Sequence, residues 1–278
     1  MFKGRSLIIA TKHEKEKVIA PLLETGLGLV SFVNVDFDTD TLGTFSGEVE
    51  RMFDPITTAR KKCLLAMEMS NCDLGIASEG SFGAHPSLFF ASADDEFLIF
   101  IDKKNDLEII VRELSSETNF NGSDIKNEKE LLEFADLVHF PSHALILRVS
   151  KTDNIHLIKG ITNLEDLKRS FHLMLHKFKN VYAETDMRAM HNPSRMNVIK
   201  SATKKLLDKI NACCPQCALP GFGITGAKKG LPCNLCGMPT KSTLSLYYSC
   251  KKCKYEKEKK YPNKKITEDP MYCDYCNP

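Results

Sequence analysis

Four short cysteine pairs organise the last quarter of the chain: CPQC at 214–217, CNLC at 233–236, CKKC at 250–253 and CDYC at 273–276. The segments between successive pairs are 15, 13 and 19 residues long. A Cys-x-x-Cys turn directs two thiolates at one point, and Zn²⁺ takes four soft ligands in a tetrahedral arrangement. Two such turns complete one site, so four pairs predict two structural zinc ions in a double zinc-ribbon tail of β-hairpins and knuckles.

Eight cysteines are the predicted zinc ligands: Cys214, Cys217, Cys233, Cys236, Cys250, Cys253, Cys273 and Cys276. Sequential pairing is expected, in which the first two pairs share one metal and the last two pairs share the other. Interleaved and nested pairings satisfy the same spacing. Iron is the main competitor for the metal, because four thiolates suit it equally. A disulfide framework would come with a secretory signal, and the short apolar run before Lys12 is too short for one.

The composition indicates an ordinary globular protein, since 42% of the 278 residues are hydrophobic and 27% are charged. No apolar run approaches the roughly 20 residues of a membrane span, so we expect a cytoplasmic protein with no membrane partner. Residues 201–278 hold 14 Lys and 6 acidic residues, a net of +8, which leaves −6 for residues 1–200. Lysines interleaved with tyrosines in this basic tail predict nucleic acid as a possible partner. The alternative is that these lysines only neutralise the zinc-bound thiolates.

Strand-like and helix-like segments alternate through the first 200 residues. This alternation predicts an α/β fold class, with a mixed-sheet N-terminal domain at 1–210 whose last helix covers about 194–211. The zinc-ribbon domain then occupies 211–278. Ligands of such folds gather where strands end. The segments that follow the predicted strands Ser6–Thr11 and Asp73–Ser78 are therefore candidate ligand sites.

The segment 78–86 follows a buried strand and combines glycines, hydroxyls, a carboxylate and a histidine. We interpret it as a loop in which Glu79 is a catalytic metal ligand and its neighbours hold an oxyanion. The alternative is a tight polar turn. The predicted substrate-binding residues come from this segment and from the loop after the first strand. They are Lys12, His13, Ser78, Gly80, Ser81, Gly83 and His85.

The segment 184–195 places two carboxylates two residues apart beside arginines. Glu184 and Asp186 are predicted to hold Mg²⁺ or Mn²⁺ as catalytic residues, and Arg188 and Arg195 to bind a phosphate. A helix cap at Asn192-Pro193 is the structural alternative, but it explains neither the acids nor the arginines. The segment 116–119 shows a weaker version of the same chemistry. The alternate spacing of Asp36, Asp38 and Asp40 suits a cation, but a solvated loop is the favoured interpretation.

No nucleophile elbow, Walker loop, dinucleotide fingerprint or zincin motif occurs in the sequence. The pattern therefore favours a metal-dependent phosphohydrolase or nucleotide pyrophosphatase that acts on a nucleotide or another phosphorylated small molecule. The alternative is a non-enzymatic zinc-ribbon adaptor that binds nucleic acid or a protein partner. A third reading is that the ribbons only stabilise the α/β domain.

Several motifs in order resemble an uncharacterised bacterial family of the domain-of-unknown-function type. They are ASEGSFG at 77–83, ETDMR at 184–188, the Asn-Pro-x-Arg-Met segment at 192–196, and the cysteine pairs that end in Cys-Asn-Pro. This resemblance covers the whole chain and implies no known activity.

A second resemblance concerns residues 10–83, which look like the inosine triphosphate pyrophosphatase-type fold. It implies cleavage of non-standard nucleoside triphosphates with Mg²⁺, phosphate contacts from Lys12, Lys15 and Lys17, and a metal at Glu79. The Asn that follows the first strand in that motif is replaced here by Lys12-His13.

Overall fold

The computed structural model describes residues 1–37 and 52–278. The chain divides into two compact units, Met1–Leu207 and Asp208–Pro278. Asp38 and Asp40 of the predicted acidic loop lie outside the described residues. Within those residues, no helix combines the length and the apolar composition that a membrane crossing requires.

A mixed five-stranded sheet forms the first half of the N-terminal unit, in the order β2-β1-β3-β4-β5. Its strands are β1 (Ser6–Ala10), β2 (Val30–Phe32), β3 (Leu74–Ala84), β4 (Ser92–Asp102) and β5 (Leu107–Ser115). β2, β1 and β3 are parallel, and β3, β4 and β5 are antiparallel. Helices α1 (Glu16–Leu27) and α2 (Pro55–Met69) lie between the parallel strands in the sequence. The mixed sheet confirms the expected α/β class.

Strands β1 and β4 are largely buried on both faces of the sheet, which explains their unbroken apolar runs. On one face, Ile8, Ala77 and Ile99 pack with Cys63 and Met67 of α2. The opposite face carries the alternate residues of the same strands, and a helix near the end of the unit, α5 (Pro193–Asn211), reaches it through side-chain contacts described below. We call these the α2 face and the α5 face.

Strand β3 corrects one prediction. The segment 78–86 was expected to be a loop, but the strand continues to Ala84 and pairs with β4 over its full length. Polar residues are tolerated in this strand because both faces supply charged partners to them. Ser78, Gly80 and Phe82 therefore point to the α5 face, whereas Glu79 and Ser81 point to the α2 face.

A second, four-stranded antiparallel sheet completes the unit in the order β6-β9-β7-β8. Its strands are β6 (Gly122–Ile125), β7 (Leu145–Arg148), β8 (Leu157–Ile161) and β9 (Val181–Thr185). Helices α3 (Glu128–Leu137) and α4 (Leu164–Phe178) cover it. Their apolar stripes, with Leu131 and Phe171 fully buried, form one core with the strands. Strands β6, β8 and β9 were not predicted from the sequence.

The C-terminal unit contains a three-stranded antiparallel sheet in the order β10-β11-β12. The strands are β10 (Gly223–Lys229), β11 (Thr243–Ser249) and β12 (Glu256–Lys260). Strand β10 continues through Lys229, and the chain pairs with it again only from Thr243, where β11 begins. The second cysteine pair lies in this long connection.

Candidate functional site

Two groups of four cysteines in the C-terminal unit have the geometry of metal sites. One group joins Cys214, Cys217, Cys250 and Cys253, and the other joins Cys233, Cys236, Cys273 and Cys276. Four thiolates at about 2.3 Å from a tetrahedral zinc lie roughly 3.8 Å from one another. The measured Sγ–Sγ distances are 3.6 Å for 214–253 and 217–250, 3.9 Å for 233–276 and 3.6 Å for 236–273. Each group could therefore hold one metal ion.

The grouping is interleaved, so the expected sequential pairing is wrong. The antiparallel register of β10 and β11 is the reason, because Gly223 at the start of β10 pairs with Ser249 at the end of β11. This pairing brings the knuckle before β10 to the knuckle after β11. Strand β12 then runs antiparallel to β11, and Lys260 at its end pairs with Ser245. The chain thus returns to the opposite end of the sheet, where the second and fourth knuckles meet.

Backbone amides within the knuckles favour thiolates. The N–H of Cys236 is the largest influence on Cys233, whose pKa it lowers to about 7 together with the N–H of Leu235. The N–H of Cys253 likewise lowers the pKa of Cys250 to about 6. A thiolate is the form that binds metal, so these amides shift one thiol of each group, Cys233 and Cys250, towards the metal-binding form.

A cluster of buried charges lies in the N-terminal unit where β3 and β4 pair. On the α2 face, Lys62 Nζ is 2.8 Å from Glu79 Oε2, and both side chains are less than a tenth exposed. On the α5 face, Arg195 Nε is 2.6 Å from Glu96 Oε1, and both side chains are almost fully buried. The two ion pairs therefore occupy opposite faces of one sheet, and the predicted site residues Glu79 and Arg195 are separated by β3.

Arg195 is held from three sides. Besides Glu96, it donates to the carbonyl oxygen of Met187, and its guanidinium lies 5.0 Å from the ring centre of Phe82. Gly80 makes room for this arrangement. A Cβ at Gly80 would come within 2.6 Å of Arg195 Nη2 and closer still to Glu96 Oε1. The glycine predicted to bind an oxyanion through its backbone thus also has a packing role.

Asp94 and Glu96 lie two residues apart on β4, so both point to the α5 face. Asp94 is 1% exposed, and among the described residues neither of its carboxylate oxygens has a hydrogen-bond partner. Glu96 Oε2 is also buried without a hydrogen-bond partner among the described residues. Burial, and next the charge of Glu96, raise the pKa of Asp94 to about 8. Three buried carboxylate oxygens without donors are unusual, and an unseen ion is one of the recognised reasons for such a group.

Lys15 adds a second buried cation to this face. Its Nζ donates to Ser78 Oγ at 2.9 Å, and burial lowers the pKa of Lys15 to about 8. Lys12, which directly follows Thr11, is exposed, and His13 is half-buried. Asp94, Glu96 and Lys62 were not among the predicted site residues, and Lys15 was predicted only as a phosphate contact implied by the second resemblance. In the sequence, the buried charges were indicated only by the acidic run at 94–96 and by the lysine of α2. Both features are equally typical of a solvated surface.

The predicted residues of the segment 184–188 form a separate charged group on the second sheet. Asp186 is fully buried and accepts from Arg188 Nη2 at 2.6 Å and from the Gly160 N–H at 3.1 Å. Glu184 pairs with the buried Arg148, while burial raises the pKa of Glu184. Each acid is therefore matched to an arginine.

The remaining predicted residues lie towards the far end of β3. Ser81 is half-buried beside Asp95 in the strand pairing, and a Cβ at Gly83 would meet nothing within 4 Å. His85 Nδ1 accepts from the backbone N–H groups of Ser87 and Leu88, which stabilises the turn between β3 and β4. Among the described residues, the two cysteine groups are the only sets of three or more His, Cys, Asp or Glu ligands close enough to share a metal. Glu79, Glu184 and Asp186 do not form such a set.

A polar cavity of about 300 Å³ opens on the α5 face between β5 and α5. Cross-strand pairing places it beside the unpartnered carboxylates, because Glu96 pairs with Glu113 and Asp94 pairs with Ser115. Its lining residues are Glu113, Ser115, Glu117, Ser194, Asn197, Val198 and Ser201. Asp94 and Glu96 are not themselves among the lining residues, but their cross-strand neighbours Ser115 and Glu113 are.

Comparison with known proteins supports the expected family. The family model described as "Domain of unknown function (DUF6671)" matches residues 62–278, and the chain belongs to this family. No curated protein matches the chain. The resemblance of residues 10–83 to inosine triphosphate pyrophosphatase-type folds therefore stays a prediction.

Proposed function

We propose that this member of the DUF6671 family is a zinc-containing enzyme that acts on a phosphorylated small molecule or nucleotide. The two cysteine groups hold structural zinc, and a further divalent cation, Mg²⁺ or Mn²⁺, serves the reaction. The observation that carries this proposal is the pair Asp94 and Glu96, with three buried carboxylate oxygens that lack a partner in the described residues. A location in the cytoplasm belongs to the proposal, because reducing conditions keep the cysteine ligands available.

The missing direct contacts, rather than net charge, favour a cation at Asp94 and Glu96, because Arg195 and Lys15 already offset two carboxylates on this face. Two carboxylates side by side in a buried site repel each other, and Arg195 compensates only Glu96 Oε1 directly. A divalent cation offers ligand bonds to the remaining oxygens, and Mg²⁺ prefers such carboxylates together with water and phosphate. By contrast, Glu79 and Asp186 already face protein cations. We therefore assign the reactive cation to Asp94 and Glu96.

The cavity beside these carboxylates is where the substrate would bind. Glu113 and Glu117 line it, so a free phosphate would be repelled unless a cation bridged it to the protein. Asp94 and Glu96 would hold the Mg²⁺ or Mn²⁺, which would supply Lewis-acid polarisation of a phosphoryl oxygen of the substrate. Lys12, His13 and Arg188 remain the residues predicted from the sequence to contact its phosphates.

A phosphate-release screen with nucleotides and phosphomonoesters, with and without Mg²⁺ or Mn²⁺, tests this function. Asp94→Asn should lower the rate by at least about a hundredfold, because the variant loses a charged ligand of the ion. Asp95→Asn is the matched control, since Asp95 pairs with Arg112 on the other face of β4. No turnover in the wild type, or equal rates for both variants, would refute the assignment. Glu79→Gln tests the carboxylate predicted from the sequence in the same screen.

Nucleic-acid binding by the C-terminal unit is a second candidate function. All five residues of β12 are exposed, and Lys257 pairs with Tyr248 of β11, so a basic and an aromatic side chain share one face. Two zinc ions on eight thiolates lower the net charge of residues 201–278 from +8 to about +4, which weakens general affinity. Salt-sensitive retention on nucleic acid that disappears when Lys257, Lys259 and Lys260 become Glu would support it. Retention that does not change with salt would argue against it.

A further inference from the structure

Ser194 and His143 form a hydrogen-bonded pair at the edge of the polar cavity. Ser194 Oγ lies 2.9 Å from His143 Nε2, and Ser194 is one of the residues that line the cavity. On the far side of the ring, His143 Nδ1 lies 3.0 Å from Ser142 Oγ, which in turn donates to the carbonyl oxygen of His139 at 2.6 Å. A serine, a histidine and an orienting hydroxyl are thus connected in one chain.

The hydrogen bonds determine the direction of this chain. The backbone N–H of Ser194 also points to His143 Nε2, at 3.3 Å. An N–H group is only a donor, so Nε2 carries a lone pair and the ring proton is on Nδ1. The Ser194 hydroxyl therefore donates to Nε2, and Nδ1–H donates to Ser142. Burial, and next the charge of His139, lower the pKa of His143, which keeps the ring neutral near pH 7. A neutral imidazole that accepts from a serine hydroxyl is the arrangement that activates a serine nucleophile.

The position of Ser194 suits attack on a phosphoryl group. It is the second residue of α5, a helix of 19 residues, and the positive end of the helix dipole lies at this point. Its hydroxyl shares the cavity with Ser115, whose cross-strand partner is Asp94. A phosphoryl group drawn towards a cation on β4 would therefore lie in the cavity that Ser194 borders.

We propose that Ser194 is the nucleophile of the reaction, with His143 as its general base. The inference rests on the proposed function, and it assigns a covalent phosphoserine intermediate to it. Ser194 Oγ bonds to phosphorus while the bond from phosphorus to the leaving oxygen breaks. His143 takes the hydroxyl proton and passes it to the leaving oxygen. A water molecule then attacks the phosphoserine, gives its proton to His143, and releases phosphate with the serine regenerated by that proton.

His143 also caps α5, because its Nε2 accepts the backbone N–H of Ser194, and a purely structural role would follow from that contact alone. Reaction with a fluorophosphonate separates the two roles. This probe is an electrophilic phosphorus compound that bonds to an activated serine with loss of fluoride, and it needs no metal ion. Intact mass and peptide mapping of the full-length, zinc-loaded protein then locate the label.

We expect one label per chain, on Ser194, and none in Ser194→Ala. His143→Gln should be labelled at least about a hundredfold more slowly, with an unchanged circular dichroism spectrum. Ser123→Ala is the matched control, because Ser123 is an exposed serine of β6 that is not among the residues lining the cavity, and it should be labelled like the wild type. Phosphate release should be lost in Ser194→Ala.

Three results would each overturn the assignment of the nucleophile. They are an unlabelled wild type, equal labelling rates for His143→Gln and the wild type, and full phosphate release by Ser194→Ala. Those results leave the proposed function intact as long as the wild type still releases phosphate and Asp94→Asn does not. Failure of the proposed function gives a different pattern, namely no metal-dependent phosphate release by the wild type with any substrate.

Discussion

Replacing Arg195 by methionine should be one of the most damaging single changes in the N-terminal unit. Arg195 and Glu96 are about 2% and 0% exposed at their side chains, so water cannot replace the lost partner. Breaking a buried ion pair from one side costs about 3–5 kcal/mol, because the other charge stays buried and unpaired. The contact with the Phe82 ring adds about 0.5–1 kcal/mol. We therefore expect a loss of about 4 kcal/mol in the free energy of unfolding.

The assay is urea denaturation at pH 7, followed by far-ultraviolet circular dichroism because the chain has no tryptophan. Arg112→Met is the matched control, since Arg112 is 51% exposed and its ion pair with Asp95 should be worth less than about 1 kcal/mol. The double variant Arg195→Met with Glu96→Leu should recover at least about half of the loss, because no unpaired carboxylate remains at position 96. A loss below about 1 kcal/mol for Arg195→Met, or a double variant less stable than the single one, would refute this reasoning.

Three further predictions concern the metal groups, the close approach at β3 and the buried acid. Cys236 and Cys273 belong to the same metal group, so Cys236→Ser, Cys273→Ser and the double variant should each retain one zinc per chain in elemental analysis. In the sequential arrangement these cysteines would belong to different groups, and the double variant would retain no zinc. Gly80→Ala should lower the melting temperature by several degrees, because its Cβ would collide with the buried ion pair, whereas Gly83→Ala should have little effect; equal melting temperatures would contradict this. The pKa of Asp94 is raised to about 8 in the folded protein, from about 3.9 in the unfolded chain. Between pH 5 and 7 the folded state therefore binds one proton more than the unfolded state, so the free energy of unfolding falls as the pH rises, by up to about 1.4 kcal/mol per pH unit. Urea titrations without added divalent cations should show a shallower slope for Asp94→Asn, and an unchanged slope would contradict the shift.

Local patterns were sufficient for much of the fold. Helix α4 (Leu164–Phe178) depends on local signals alone, because its apolar stripe and the cap at Asn163 lie within one segment. Asn192 likewise caps α5, and its Oδ1 accepts the Arg195 N–H at 2.9 Å. The cysteine spacing identified the eight ligands for the same reason, since each knuckle is only four residues long.

Contacts between distant segments could not be predicted from the sequence. The acidic run at 94–96 is typical of an exposed turn, and Glu96 is buried only because Arg195 reaches it from 99 positions away. The sequence alone predicts a loop at Glu79, because a buried carboxylate in a strand needs a charged partner. That partner is Lys62, which belongs to α2. The pairing of the cysteines depended on the register of β10, β11 and β12, which no spacing rule determines.

Native mass spectrometry of the full-length protein with added Mn²⁺ tests the central claim, a reactive cation at Asp94 and Glu96 besides two structural zinc ions. The account predicts two zinc ions and one manganese ion for the wild type and for Asp95→Asn, and two zinc ions without manganese for Asp94→Asn. Manganese bound equally by wild type and Asp94→Asn, or by neither, would contradict it.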